Sequence, residues 1–291
     1  MKRDDEKYRP VQLLKAVGGI VILALSCLSM SVADDGSERV QIQLISNVTS
    51  VPAKGKSFWL GLHQSIKPGW HTYWKYAGDS GFPTRIAWEK TKNVEIGEIV
   101  WPRPKTFKEG PLTSYGYEDE VLLMVPVTVM EDGLFQLAAE VELLVCREVC
   151  IPQKKNVSIK LSPGPGERDQ ASSKLFKKFR SLVPVKLPWP SSIYKRGETL
   201  SYSIQVDKVI AEKMVSVEFF PGVDGLIKNG SHKKLTRTKD SITINMIRGY
   251  AIEEGLRTFE GILTLITNID GLARERSYDV GPMPVSLENL Y

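Results

Sequence analysis

Two cysteines four positions apart, in Cys146-Arg147-Glu148-Val149-Cys150, are the residues of this sequence best suited to chemistry. Dithiol exchange needs an attacking thiolate and a second thiol near enough to resolve the mixed disulfide formed by the first. A three-residue spacer in a bent segment brings two sulfurs to bonding distance. Pro152 follows at once, which predicts an interrupted strand ladder there. Two other uses of the pair stay open. One is a plain stabilising bridge, although the chain-entropy model gives a five-residue ring only about 2 kcal/mol, against roughly 4.7 for a 100-residue ring. A staple for a large fold would better join distant strands. The other is soft-metal binding, since two thiolates suit Cu(I), but no His or Met lies within the motif to complete a site. Arg147 would stabilise a thiolate and Glu148 would oppose one, so the local charges do not rank the two sulfurs.

The remaining chemistry is sparse. His63, His71 and His232 are the only histidines. His71 reads first as a histidine held in one tautomer or lying on the surface; assistance in proton transfer at the site is the other reading. No Ser-His-Asp order, zinc-ligand spacing or glycine-rich phosphate loop is present, so no cofactor and no metal is expected. Asn229-Gly230-Ser231 is a formal glycosylation sequon and equally a common turn.

The compartment follows from the N-terminus. Lys2, Arg3, Lys7, Arg9 and Lys15 precede an apolar stretch from Ala16 to Ala33 that ends Ser31-Val32-Ala33, and polar Asp34-Asp35-Gly36 follows. This is the pattern of a cleaved export signal over residues 1–33. An uncleaved anchor and a lipid-modified Cys27 are the alternatives. Cleavage takes away Cys27, so the mature chain keeps the one cysteine pair in an oxidising compartment. It also removes five Lys/Arg and three Asp/Glu, which lowers the formal charge from +5 to +3. That balance excludes nucleic acid as an expected partner. No second apolar run approaches 18 residues, so no stable membrane insertion is expected after cleavage.

The elements that must position the cysteines are strands. Val40 to Leu44, Phe58 to Leu62, Val121 to Val129, Leu134 to Val145 and Val157 to Leu161 are apolar or alternating. So are Tyr202 to Val206, Val215 to Phe219, Ile242 to Met246 and Ile262 to Ile266. Short runs punctuated by Gly, Pro, Asn and Asp predict antiparallel sandwiches rather than βαβ units. Ser162-Pro163-Gly164-Pro165-Gly166 breaks the pattern. Ser172 to Val183 then places Leu175, Phe176, Phe179 and Leu182 at helical spacing, with Lys174, Lys177, Lys178 and Arg180 between them. This predicts a linker helix packed on its own domain with a solvated basic face; a membrane-surface helix is the other reading. The predicted fold is mainly β: a redox β-sandwich over 36–165, a helical linker over 166–189 and a second β-sandwich over 190–291.

The first sandwich holds Trp59, Trp70, Trp74, Trp88 and Trp101, five of the six tryptophans, most of which serve packing. Two stretches stand apart. Lys67-Pro68-Gly69-Trp70-His71-Thr72-Tyr73-Trp74 reads as a turn leading into an aromatic strand. Gly110-Pro111-Leu112-Thr113-Ser114-Tyr115-Gly116-Tyr117 reads as a loop with two exposed tyrosines.

These stretches, with Gly78-Asp79-Ser80-Gly81, Trp101-Pro102, Leu144 to Pro152 and Phe219-Phe220-Pro221, resemble the periplasmic N-terminal region of the DsbD thiol:disulfide interchange family, in particular its ScsB-like branch. The resemblance implies immunoglobulin-like domains, a periplasmic location and electron transfer from a thioredoxin-like domain, fed by a membrane-embedded donor, to oxidised periplasmic proteins. It implies that Cys150 forms the mixed disulfide and Cys146 resolves it. It also implies a loop capping the disulfide, matched here by Thr113, Ser114, Tyr115, Gly116 and Tyr117, and a strand beneath the cysteines that carries His71 and Tyr73. Ser114 stands where the best-known members have an aromatic cap, so Tyr115 or Tyr117 is expected to take that part. With Tyr291 as the last residue, a thioredoxin-like protein and a membrane electron donor are expected as separate partners. The resulting expectation is a protein-disulfide reductase component; a non-catalytic or copper-handling sandwich is the alternative.

Overall fold

The computed structural model describes residues 38–287; the expected signal segment 1–33 and Cys27 lie outside them. The N-terminal half runs β1 (Val40–Ser46), β2 (Ser57–Ile66), β3 (His71–Gly78), β4 (Arg85–Trp88), β5 (Val94–Ile96), β6 (Lys105–Glu109), β7 (Leu112–Glu118), β8 (Glu120–Val129), β9 (Phe135–Cys146) and β10 (Cys150–Leu161), then α1 (Gln170–Arg180). The C-terminal half runs β11 (Val185–Lys186), β12 (Ser191–Arg196), β13 (Thr199–Gln205), α2 (Lys208–Lys213), β14 (Met214–Pro221), β15 (Lys234–Arg237), β16 (Ser241–Ile247), α3 (Tyr250–Glu253), β17 (Thr258–Ile269), β18 (Leu272–Pro284) and β19 (Ser286–Leu287).

Each half closes two sheets over an apolar core. In the first, the sheet β1-β2-β8-β5 faces the sheet β10-β9-β3-β7-β6, with β4 paired to β9. In the second, β11-β18-β17-β14 faces β15-β16-β13-β12-β19. Alternation in sequence becomes alternation in burial: along β9, Phe135, Leu137, Ala139, Val141, Leu143 and Val145 point inward, with polar or partly exposed residues between them. Each such buried aliphatic or aromatic side chain contributes roughly 1.5–3 kcal/mol relative to leaving it in water. The core of the second half centres on Tyr202, Phe219 and Phe259, with Phe219 and Phe259 stacked at 4.8 Å.

The two halves share surface. Phe220 and Ile262, from β14 and β17, belong to the core of the first half. Phe220 meets Trp74 and Tyr115 edge-on, at 6.4 and 5.6 Å. Arg103 pairs with Glu275 across the same boundary. Helix α1 begins at Asp169, whose carboxylate accepts from the N–H groups of Ala171 and Ser172, satisfying two donors that a first turn leaves open. It buries Phe176 and Phe179 in the first core, while Lys178 reaches Glu120 and Arg180 lies over Trp59. The predicted amphipathic helix is present, starting two residues earlier than its apolar pattern suggests.

Candidate redox site

The cysteines face each other across the mouth of the β9–β10 hairpin. Cys146 ends β9, Cys150 opens β10, and a disulfide joins them with Cα atoms 4.1 Å apart. The Arg147 N–H donates to the Val149 carbonyl. Hydrogen-bonded and non-hydrogen-bonded pairs alternate along an antiparallel ladder, so Cys146–Cys150 is a non-hydrogen-bonded pair, the closely spaced kind that brings side chains together.

The same alternation corrects the reading of Pro152. No break occurs there: β10 pairs with β9 without interruption from Cys150 to Leu161. Pro152 opposes Leu144, two rungs from the cysteines and again at a non-hydrogen-bonded position. Its missing N–H would have pointed away from β9, and β10 is the outer strand of its sheet, so the ladder loses nothing.

The two sulfurs have unlike surroundings. Cys146 is fully buried, packed with Tyr73, Ala77 and Leu144, whereas Cys150 is exposed. The hairpin tip, with Val149 63% exposed, stands in solvent beside it. Arg147 lies over the Trp70 ring at 5.3 Å, which holds the tip against the turn that precedes β3.

Beneath Cys150 is a short polar chain. The Tyr73 hydroxyl lies 3.7 Å from Cys150 Sγ, and His71 Nε2 lies 3.3 Å from the Tyr73 hydroxyl. The same nitrogen is 3.6 Å from a Glu109 carboxylate oxygen. Phe107 stacks on the His71 ring at 4.4 Å, and His71 sits opposite Cys146 in the β3–β9 pairing. Burial pushes the His71 pKa below its ordinary value, with Glu109 and Glu118 pulling the other way. Burial likewise raises that of Tyr73, so its hydroxyl stays protonated and able to donate at neutral pH. A hydroxyl donor at this distance would favour a thiolate on Cys150 once the bond is reduced.

The expected capping loop is a strand. Thr113, Ser114, Tyr115, Gly116 and Tyr117 all lie in β7 and all are buried. The Tyr117 hydroxyl donates to the Pro102 carbonyl, and that of Tyr115 to Asn229. Neither tyrosine is exposed, and neither hydroxyl bonds a sulfur. Thr113 and Ser114 tolerate burial because both are partnered: the Thr113 N–H donates to Asp79, and the Ser114 hydroxyl pairs with that of Ser80. The structure brings His71 and Tyr73 to the disulfide and turns Tyr115 and Tyr117 elsewhere. Phe107 and Glu109, on β6, were missed; nothing in Lys105-Thr106-Phe107-Lys108-Glu109 alternates cleanly enough to mark a buried face. Among the described residues no group of three or more His, Cys, Asp and Glu is placed to hold a metal ion, and no helix is long and apolar enough to cross a membrane.

Residues 41–162 match the family described as thiol:disulfide interchange protein DsbD, N-terminal. This segment is a DsbD-family N-terminal domain. The fold is also that of the N-terminal periplasmic domain of ScsB from Proteus mirabilis, a crystal structure matched over 85% of this chain and 95% of that one, with TM-score 0.59 and 18% identity. The CupB2 chaperone of Pseudomonas aeruginosa matches at 9% identity over 81% of this chain and 100% of that one, but with TM-score 0.19. No curated protein matches the chain in sequence. The disulfide, the buried His71–Tyr73 pair and the β6–β7 hairpin all lie inside the DsbD-family segment, while Asn229 lies outside it.

Proposed function

We propose that the chain is a periplasmic thiol–disulfide exchange module of the ScsB-like kind. It relays electrons from a thioredoxin-like donor to oxidised periplasmic proteins through Cys146 and Cys150. The observation that carries this reading is the asymmetry of the pair, one cysteine wholly buried and the other exposed.

A donor thiolate attacks Cys150 Sγ, the Cys146–Cys150 bond breaks, and Cys146 leaves as the thiolate. The donor's second thiol then attacks its own sulfur in the mixed disulfide and releases the reduced pair. In the forward half, the Cys150 thiolate attacks the acceptor's disulfide. Cys146 then attacks Cys150 Sγ, which restores the internal disulfide and frees the reduced acceptor. Two electrons and two protons pass in each half. The Tyr73 hydroxyl stabilises Cys150 as nucleophile and leaving group, and His71 orients that hydroxyl. The reading includes a division into two immunoglobulin-like domains, 36–165 and 190–291, joined by the segment 166–189. The two separate apolar cores support this division.

The test is trapping. Cys146→Ala, which keeps the exposed sulfur and removes the resolving one, is expected to accumulate covalent complexes with a thioredoxin-like donor; Cys150→Ala is not. Trapping through Cys146 alone would reverse the assignment. A wild-type reduction potential below about −300 mV, the range of structural bridges, would overturn the exchange reading.

A further inference from the structure

Besides Phe220, a turn of the C-terminal half reaches β7. Lys228 to Ser231 is closed by the Ser231 N–H on the Lys228 carbonyl, with Gly230 at φ +67°. A Cβ on Gly230 would stand 2.4 Å from Thr113 Oγ1, so this turn seats directly on β7. At its tip the Asn229 amide works in both directions. Its oxygen accepts from the Tyr115 hydroxyl at 3.0 Å, and its nitrogen donates to Asp79 Oδ1 at 2.9 Å. The other Asp79 oxygen accepts from the Thr113 N–H at 2.8 Å.

Asp79 opens the Asp79-Ser80-Gly81 segment, and that segment lies against Tyr73. A Cβ on Gly81, at φ +94°, would come within 2.3 Å of the Tyr73 ring, and Ser80 is tied to Ser114 at 2.9 Å. The contact chain therefore runs from Asn229 through Asp79 and the Ser80-Gly81 backbone to Tyr73, and from the Tyr73 hydroxyl to Cys150. Tyr73 is the last regular rung of β3 on β7, opposite Gly116, and the register shifts between it and Gly78, where the Asp79 N–H picks up the Thr113 carbonyl at 2.9 Å. The Asn229 amide, from outside the DsbD-family segment, adds a side-chain brace to Asp79 just past that irregular stretch.

We propose that Asn229 is a positioning residue for the redox pair: it fixes Asp79 and the turn that aims Tyr73 at Cys150, so that the C-terminal half sets the reactivity of a sulfur it does not touch. This rests on the exchange reading for the role of the pair. Loosening the brace withdraws a donor from the Cys150 thiolate. The thiol pKa then rises, the reduced state loses stability, and the equilibrium with glutathione moves toward the disulfide.

The experiment uses the full exported chain. Asn229→Ala removes both bonds, and Asn229→Asp sets a carboxylate against Asp79. The exchanged pair Asp79→Asn with Asn229→Asp restores every bond: the new amide donates to the new carboxylate and accepts from Thr113 N–H, and Tyr115 donates to that carboxylate. Two quantities are read. One is the Cys150 thiol pKa, from the pH dependence of alkylation by iodoacetamide. The other is the equilibrium constant with glutathione. Each single variant is expected to raise the pKa and to shift the equilibrium by about threefold, the scale of one modest hydrogen bond, and the exchanged pair is expected to return both toward wild type. In a Tyr73→Phe background Asn229→Ala is expected to add nothing. Single variants equal to wild type in both readouts, whatever their melting temperature, overturn the proposal, as does a full Asn229→Ala effect in the Tyr73→Phe background. Should Asn229→Asp fail to fold, Asn229→Ala with and without Tyr73→Phe decides alone. Wild-type protein that does not exchange with reduced thioredoxin would sink the exchange reading instead, and the chemically reduced protein would still report on Asn229.

Discussion

The two halves of the molecule are built from the same kind of paired sheets and fill their interiors differently. Among the described residues, the first half buries Gln64, His71, Thr72, Thr84, Thr113 and Ser114 around its redox end, where they bond one another or nearby backbone and carboxylates. The second half buries Thr264, Thr267 and Ser277 and otherwise packs aromatic and aliphatic side chains. A polar interior costs stability unless every group is partnered, and when partnered it holds side chains in one orientation. An apolar interior gives cohesion without aiming anything. The difference places the disulfide and its polar neighbours in one half and a larger share of uninterrupted hydrophobic cohesion in the other.

The largest effect that could break this contrast comes from the apolar side. Phe259→Ala removes a fully buried ring stacked on Phe219 and tilted against Tyr202. It is expected to cost about 3–5 kcal/mol, measured by urea denaturation. Removing the redox pair with Cys146→Ala and Cys150→Ala should cost less, at most about 2 kcal/mol for so short a ring, and leave the far-UV circular dichroism unchanged. If the double cysteine variant proves the less stable of the two, the bridge is a staple and the contrast is reversed.

The smallest effect sharpens the contrast through pH. Burial lowers the His71 pKa in the folded state from its ordinary 6.5. The unfolded chain therefore binds the proton first as pH falls, so stability is full above about 6.5 and declines as pH drops from there toward the lowered folded value. Melting temperatures of wild type and His71→Gln between about pH 7.5 and pH 5 should converge on acidification. Curves that stay parallel would mean that His71 carries no such linkage.

Much of this was legible in residue patterns and some was not. Alternation marked the strands that build both cores, because one buried face leaves a period of two in the sequence. The Cys146–Cys150 pair and its His71 and Tyr73 neighbours were legible because they are local in sequence or carry a resemblance. Thr113 to Tyr117 misled: Thr, Ser and Gly beside Gly110-Pro111 read as a loop, and only the partners Asp79, Ser80 and Asn229 make their burial affordable. Those partners lie 34 to 114 residues away, a distance no local pattern reports. Pro152 misled for a related reason, since a proline's cost depends on which way its missing N–H would have faced. Phe107 and Glu109 reach His71 across a sheet and left no mark in their own short strand.

The strand that carries Cys150 has one more consequence, for how the protein keeps its own copies apart. An outer strand offers its free backbone groups to any passing strand, and pairing along it would bury the exposed sulfur between two copies. Here Pro152 withdraws a donor from that side, and Lys154, Lys155 and Lys160 follow along the same strand. Proline and lysine both discourage strand addition. The open approach to Cys150 is therefore end-on, past Val149 at the hairpin tip, and in the proposed exchange a visiting protein would meet no shared sheet to hold it.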